Sequence, residues 1–233
     1  MKKIGFLFLI KDRFFNKKFY KNYFKNIDKD KFRVYVHYKV KPVLDFPNLT
    51  FVKSIPTAWG DISLVKAILI LLRHAYNDGC DMFYILSSDS LPLKNFHEIY
   101  EIDKTIFSEQ IKQFGRKHLL KNFNCLKINH PLRRKFSIEK WRKQNMFFCI
   151  SRTDYEKIKF KKYVSLFSNL GIPDEYFFIN IFIAEGVPYV NGKYMFVDPK
   201  ELRTSSRYLT TTDFIKYNSV MSKYLFCRKA ILG

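Results

Sequence analysis

Apolar positions change their period several times along the chain, and each change predicts an element. Residues 3–10, KIGFLFLI, form a short unbroken apolar run, the pattern of a central strand covered on both faces. Residues 12–27 then place Phe15, Phe19, Tyr23 and Ile27 four apart with lysines between them, which predicts an amphipathic helix buried along that stripe. FRVYVHY (32–38) and LTFVKS (49–54) are β-branched and aromatic and read as strands. The mostly apolar stretch 61–76 predicts a long buried helix with Asp61 or Ser63 as its N-cap. DMFYILSSDSLPL runs from a strand into a polar turn, and LKNFHEIYEI returns as a helix. The order β-α-β-β-α-β-α implies an α/β fold with a mainly parallel central sheet and helices on both faces, whose ligands bind at the carboxyl ends of the strands. The turn Ser87-Ser88-Asp89-Ser90 lies at such an end.

The second half is less regular. Residues 105–145 are strongly basic and predict a segment covering a substrate. MFFCISRTDYEKIKFKKYV reads as a strand entering a helix capped by Ser151 or Thr153, and PDEYFFINIFIAEG as a helix that begins at Pro173 and ends at Gly186. Short strands follow near 188–197, a helix near 211–221 and a last strand at YLFCRK. With no internal repeat or low-complexity linker, residues 1–233 are expected to form a single domain, with 1–104 as a nucleotide-binding half and 105–233 as an acceptor-binding, catalytic half.

Composition narrows the partners. The chain carries 42 Lys and Arg against 21 Asp and Glu, a formal charge of +21, which predicts attraction to polyanions: nucleic acid, an anionic membrane surface or the phosphates of a small substrate. The lysines are diffuse, in company with many Asn, Ile and Phe residues as in an AT-biased genome, and no RNP, KH or helix-turn-helix pattern is present. Nucleic acid is therefore not the expected partner. Cys80, Cys125, Cys149 and Cys227 are too widely spaced for a zinc site or a disulfide framework. MKKIGFLFLI resembles a signal peptide but runs into KDR without a small-residue cleavage site, and no apolar run reaches the roughly 20 residues of a membrane span. A cytoplasmic location is expected, with contact at an anionic membrane surface as an open alternative.

AWGDISLVKAILILLRHA, YILSSDSLPLKNF, FFCISR, PDEYFFIN, YLTTTDF and LFCRKA occur in the order and approximate spacing of the core-2/I-branching β-1,6-N-acetylglucosaminyltransferase family, which also contains xylosyltransferases, and the chain resembles it from first strand to last. The resemblance implies a GT-A, Rossmann-like fold, a UDP-linked sugar donor, a glycan or glycolipid acceptor, inversion at the anomeric carbon and no metal cofactor. Metal-dependent relatives of that fold hold their cation with an Asp-x-Asp, whereas the corresponding turn here has one carboxylate, Asp89, which is also read as an Asx-type turn former.

Carried over residue by residue, the resemblance makes Glu175 of Pro173-Asp174-Glu175 the general base, since the acceptor proton must leave as the glycosidic bond forms. Asp174 is expected at the helix start, stabilised by the macrodipole. Lys229 and Arg207, with Arg203 as rival for the second place, are expected to clamp the diphosphate. His37 stands where the family has a nucleotide-contacting His-x-Asp, but the motif reads His37-Tyr38-Lys39, so its ligand role competes with that of a strand-end histidine. Trp59 is read as core, or else as a cleft wall on the acceptor side. Glu109 falls where the family has an acceptor-binding acid. The family's acceptor Trp is missing, leaving Tyr194 or Phe196 as a substitute platform. A relative that binds glycans without catalysis, and a basic nucleic-acid-binding protein, are the alternatives.

Overall fold

A computed structural model describes residues 1–109, 123, 131–136, 139–198 and 208–230. Four parallel strands form the centre of a mixed sheet. They are β1 (Ile4–Ile10), β2 (Phe32–Tyr38), β3 (Leu49–Phe51) and β4 (Met82–Ser87). Beyond β4 the sheet continues through β7 (Cys149–Ser151), β6 (Ile106–Phe107) and β8 (Val190–Asn191), giving the order β3-β2-β1-β4-β7-β6-β8. Only the β4–β7 and β7–β6 pairs are antiparallel. This is a Rossmann-like α/β architecture, as the order of sequence elements predicts.

The helices follow from capping and burial. The long helix α2 (Ile62–Asn77) starts where the Asp61 carboxylate accepts the Ser63 N–H, which settles its N-cap as Asp61. It packs on β1 through a glycine: a Cβ on Gly5 would come within 3.2 Å of Ala75 Cβ and 3.1 Å of Leu7 Cδ1. A short helix α3 (Phe96–Tyr100) carries a capping box between Asn95 and Glu98. Ser151 caps the one after β7 (Arg152–Glu156).

Two predicted helices differ from expectation. The first, α1, covers only Lys17–Phe24, and it buries Tyr20 and Phe24, with Phe19 and Tyr23 only partly covered. The residues before it are drawn off the helix by the turn after β4: the Phe15 N–H donates to Ser88 O (3.2 Å), and Asn16 Nδ2 donates to Ser90 O (3.4 Å) and Ala230 O (2.7 Å). The second breaks in two. Pro173–Glu175 is a single 3-10 turn, and the α-helix runs over Phe177–Glu185 before Gly186 ends it at φ 66°. The break starts at Ile172, which takes the left-handed region at φ 51°. A β-branched residue there is a genuine outlier.

A second sheet ties the chain's last part to its first half. The order is β5 (Leu91–Pro92), β10 (Phe226–Cys227), β9 (Met195–Phe196). The terminal helix Thr211–Met221 begins with a Thr210–Asp213 capping box and packs against this sheet through Met221. Among the described residues, Cys80, Cys149 and Cys227 are free and buried, and no helix is long and apolar enough to cross a membrane.

Candidate active site

Glu175 closes the 3-10 turn, with its N–H donating to Ile172 O (3.1 Å). Its side chain is 25% exposed and makes an ion pair with Lys143, Nζ to Oε2 2.7 Å, while the Lys143 side chain is only 5% exposed. Oε2 is buried. That leaves Oε1 as the oxygen able to face an incoming hydroxyl. The backbone holds the same pair of segments together, since the Gln144 N–H donates to Glu175 O at 2.9 Å and Gln144 Oε1 accepts the Ile179 N–H at 3.0 Å.

Asp174 stands at a helix start, as the sequence suggests, but the helix is a single 3-10 turn and the side chain is buried. It is 5% exposed, and Oδ1 is buried without a hydrogen-bond partner among the described residues. Burial, then the neighbouring Glu175 charge, pushes its pKa up to about 6, with Lys143 pulling the other way. The physical reason is the break after Glu175: a three-residue turn directs Asp174 inward instead of presenting it beside a helix axis.

Glu109 joins this cluster across Gln144, with which it forms an antiparallel bridge. Its Oε1 accepts the Tyr189 hydroxyl (2.8 Å), and Oε2 lies 3.5 Å from Arg142 Nε. Trp59 is 89% exposed, which corrects its reading as core. It precedes Gly60, whose carbonyl accepts the Ile172 N–H at 3.1 Å, so the indole stands in solvent beside the turn that carries Glu175. Tyr194 is withdrawn as an acceptor platform. It is fully buried, its hydroxyl donates to Ile85 O at 3.1 Å, and its ring stacks on Tyr84; Phe196 is buried as well.

A second cluster lies at the carboxyl end of β4. Asp89 accepts from the Ser87 hydroxyl, its carbonyl takes the Ala230 N–H (3.1 Å), and Oδ2 is 4.0 Å from Arg228 Nε. Lys229 follows in the left-handed region at φ 53°. Its carbonyl accepts the Leu209 N–H at 2.7 Å. Half-exposed Tyr208 joins the group with its ring 5.7 Å from Phe15. Its pKa is raised by burial and by the Asp89 charge, while Arg228 acts in the opposite sense. Arg203 and Arg207 lie outside the described residues. His37 is buried, and its Nε2 accepts the Ile55 N–H at 3.0 Å. Desolvation lowers its pKa, so the ring serves as a neutral acceptor for backbone.

Residues 143–147 join the two clusters. Lys143 and Gln144 hold Glu175 at one end, and at the other the Arg228 guanidinium lies over the Phe147 ring, 5.4 Å from its centroid. Four residues of chain span at most about 14 Å. From the sequence neither Lys143 nor Arg228 was singled out, although the structure sets one against Glu175 and the other near Asp89. Lys143 was hidden in the basic run KWRKQN, where only a partner across the chain distinguishes one lysine from the next.

Among the described residues no group of three or more His, Cys, Asp or Glu is placed to hold a metal. What the geometry provides is a partly exposed carboxylate on a buried ammonium, joined through residues 143–147 to an acid and an arginine at the strand ends.

The family described as Core-2/I-Branching enzyme matches residues 4–188. The chain is also 23% identical over 165 residues to glycosyltransferase BC10 of Oryza sativa subsp. japonica, a match covering 67% of this chain and 40% of the rice protein. It thus spans less than half the length of that relative. This chain belongs to the Core-2/I-Branching enzyme family.

Proposed function

We propose that the protein transfers a sugar, N-acetylglucosamine as the family default, from a UDP-linked donor to a hydroxyl of a glycan or glycolipid, with inversion and without a metal ion, on a GT-A-type fold. The observation that carries this reading is the Glu175–Lys143 pair at 2.7 Å. A buried ammonium fixes one carboxylate oxygen and leaves the other to take the acceptor proton. A single displacement with inversion needs only one carboxylate, to take the proton from the attacking hydroxyl as the bond to the diphosphate breaks, and the adjacent Asp174 is too buried to act as a nucleophile in a double displacement. At the other cluster, Arg228 lies 4.0 Å from the lone Asp89 and Lys229 follows Arg228 in the chain; these are the cations assigned to stabilise the departing diphosphate. Trp59 and Glu109 flank the base on the acceptor side.

Thermal shift with UDP and UDP-sugars, with and without EDTA, tests the donor half: stabilisation by UDP that survives EDTA is expected. Glu175→Gln is expected to lower sugar transfer roughly 10²- to 10⁴-fold while UDP still stabilises the protein. Near-full transfer by a folded Glu175→Gln protein would remove Glu175 as the base.

A further inference from the structure

Away from these clusters, α2 and the chain leaving β3 enclose a cavity of about 360 Å³ lined by Lys53, Ile55, Ile70, Arg73, His74 and Asn77. That volume lies at the small end of ligand sites, roughly 300–1,000 Å³. Ile70, Arg73, His74 and Asn77 are spaced i, i+3, i+4, i+7 and so share one face of α2. Lys53 and Ile55 face them from another element. Cations in the last turn of a helix ordinarily offset its negative end. That role requires neither a hollow with isoleucines in its lining nor a second cation from the opposite wall, and the lining contains no acid.

The surface beside the cavity has a matching character. The β2–β3 loop exposes Val40 (58%) and Val43 (87%) among the exposed Lys39 and Lys41. It is tied to the cavity wall: the Tyr38 N–H donates to Ser54 Oγ (2.9 Å), the Ile55 N–H to His37 Nε2 (3.0 Å), and Lys41 Nζ lies 4.9 Å from the centre of the Phe51 ring. The loop's own acid, Asp45, is occupied by Lys17 (3.3 Å) and Lys21 (2.6 Å). None of Lys39, Lys41, Lys53 and Arg73 pairs with an acid among the described residues.

We infer that this edge docks on an anionic phospholipid surface, Val40 and Val43 entering the interface while the exposed Lys39, Lys41, Lys53 and Arg73 around the cavity meet the headgroup phosphates. Basic side chains at an anionic leaflet supply attraction and exposed apolar tips supply insertion. Nucleic acid would use the cations but would gain nothing from two projecting valines. Docking through β3 would hold the enzyme at the membrane by the edge of its sheet.

Co-sedimentation with vesicles tests this without reference to catalysis. The wild-type protein is expected to pellet with phosphatidylserine-containing vesicles and to stay in solution with pure phosphatidylcholine. Each basic residue near such a surface is worth about fivefold in affinity, so Lys53→Gln with Arg73→Gln is expected to weaken binding roughly 25-fold, and Val43→Ser to weaken it further. All three positions are exposed, and an unchanged melting temperature will show that the variants fold. Binding unaffected by the double substitution, equal binding to neutral vesicles, or binding to inorganic phosphate or RNA with no retention on vesicles would each overturn the inference.

Discussion

Asp174→Asn removes a charge that the fold buries beside Glu175. The carboxyl is 5% exposed with Oδ1 unpartnered among the described residues, and burial followed by the Glu175 charge raises its pKa from 3.8 to about 6. An acid whose pKa is raised by folding holds more protons folded than unfolded between those two values. Its contribution to stability is therefore complete below pH 3.8 and lost as pH rises through 6. A shift of about two pH units corresponds to about 3 kcal/mol at neutral pH, which in a chain of this size is roughly 6–12 °C of melting temperature. Asparagine keeps the shape and drops the charge. We expect Asp174→Asn to be about 3 kcal/mol more stable than wild type at pH 8, the advantage shrinking between pH 6 and 4 and gone near the lower end. Urea unfolding of both proteins over that pH series gives the difference directly. Curves that run parallel across the series would refute the reasoning, because they would mean that Asp174 is compensated in the folded protein. With Glu175→Gln in the background, the gap should narrow, since the second cause of the shift is then gone.

Three further outcomes follow from the same cluster. Lys143→Met removes the buried partner of Glu175 and should destabilise the protein by about 3–5 kcal/mol at pH 8, and by less at pH 5 where Asp174 takes up a proton, as urea titrations at both pH values would show. Ile172→Gly relieves a left-handed β-branched residue, a gain of about 1–2 kcal/mol that offsets lost packing and added chain entropy, so stability should stay within about 1 kcal/mol while transfer falls as Glu175 loses its fixed turn; a calorimetric scan beside a transfer assay separates the two. Trp59→Ala touches a side chain standing in solvent and should leave the melting temperature unchanged while raising the acceptor KM roughly three- to tenfold, with donor KM unaffected.

How much of this was legible in the sequence depends on the range of the interactions. The parallel strands were readable because residues covered on both faces must be apolar throughout, and the caps Asp61 and Ser151 because an N-cap needs only neighbours. Glu175 was singled out by resemblance to a family motif alone, because its partner Lys143 lies 32 positions away in the chain. The burial of Asp174 was missed because helix-start chemistry assumes a helix, and a left-handed Ile172 turned the segment into a single 3-10 turn. The stripe of α1 was misplaced by one position for a related reason: Asn16, which begins the true helix, is anchored to residues far along the chain. Trp59 and Tyr194 show the limit from both sides. Both are large aromatics near motifs, and only the tertiary structure places one in solvent and the other against Tyr84.

The stitching of β10 beside β5 has a consequence for how the molecule comes to life. Asn16 and Ala230, 214 positions apart, touch through one hydrogen bond, and Asp89 meets Ala230 through another. A polypeptide emerging from the ribosome can assemble its parallel strands early, yet its strand-end cluster stays open until Ala230 has been made. Closing so long a loop is slow. A chain halted before Ala230 would keep its seven-stranded sheet and lose both of these ties.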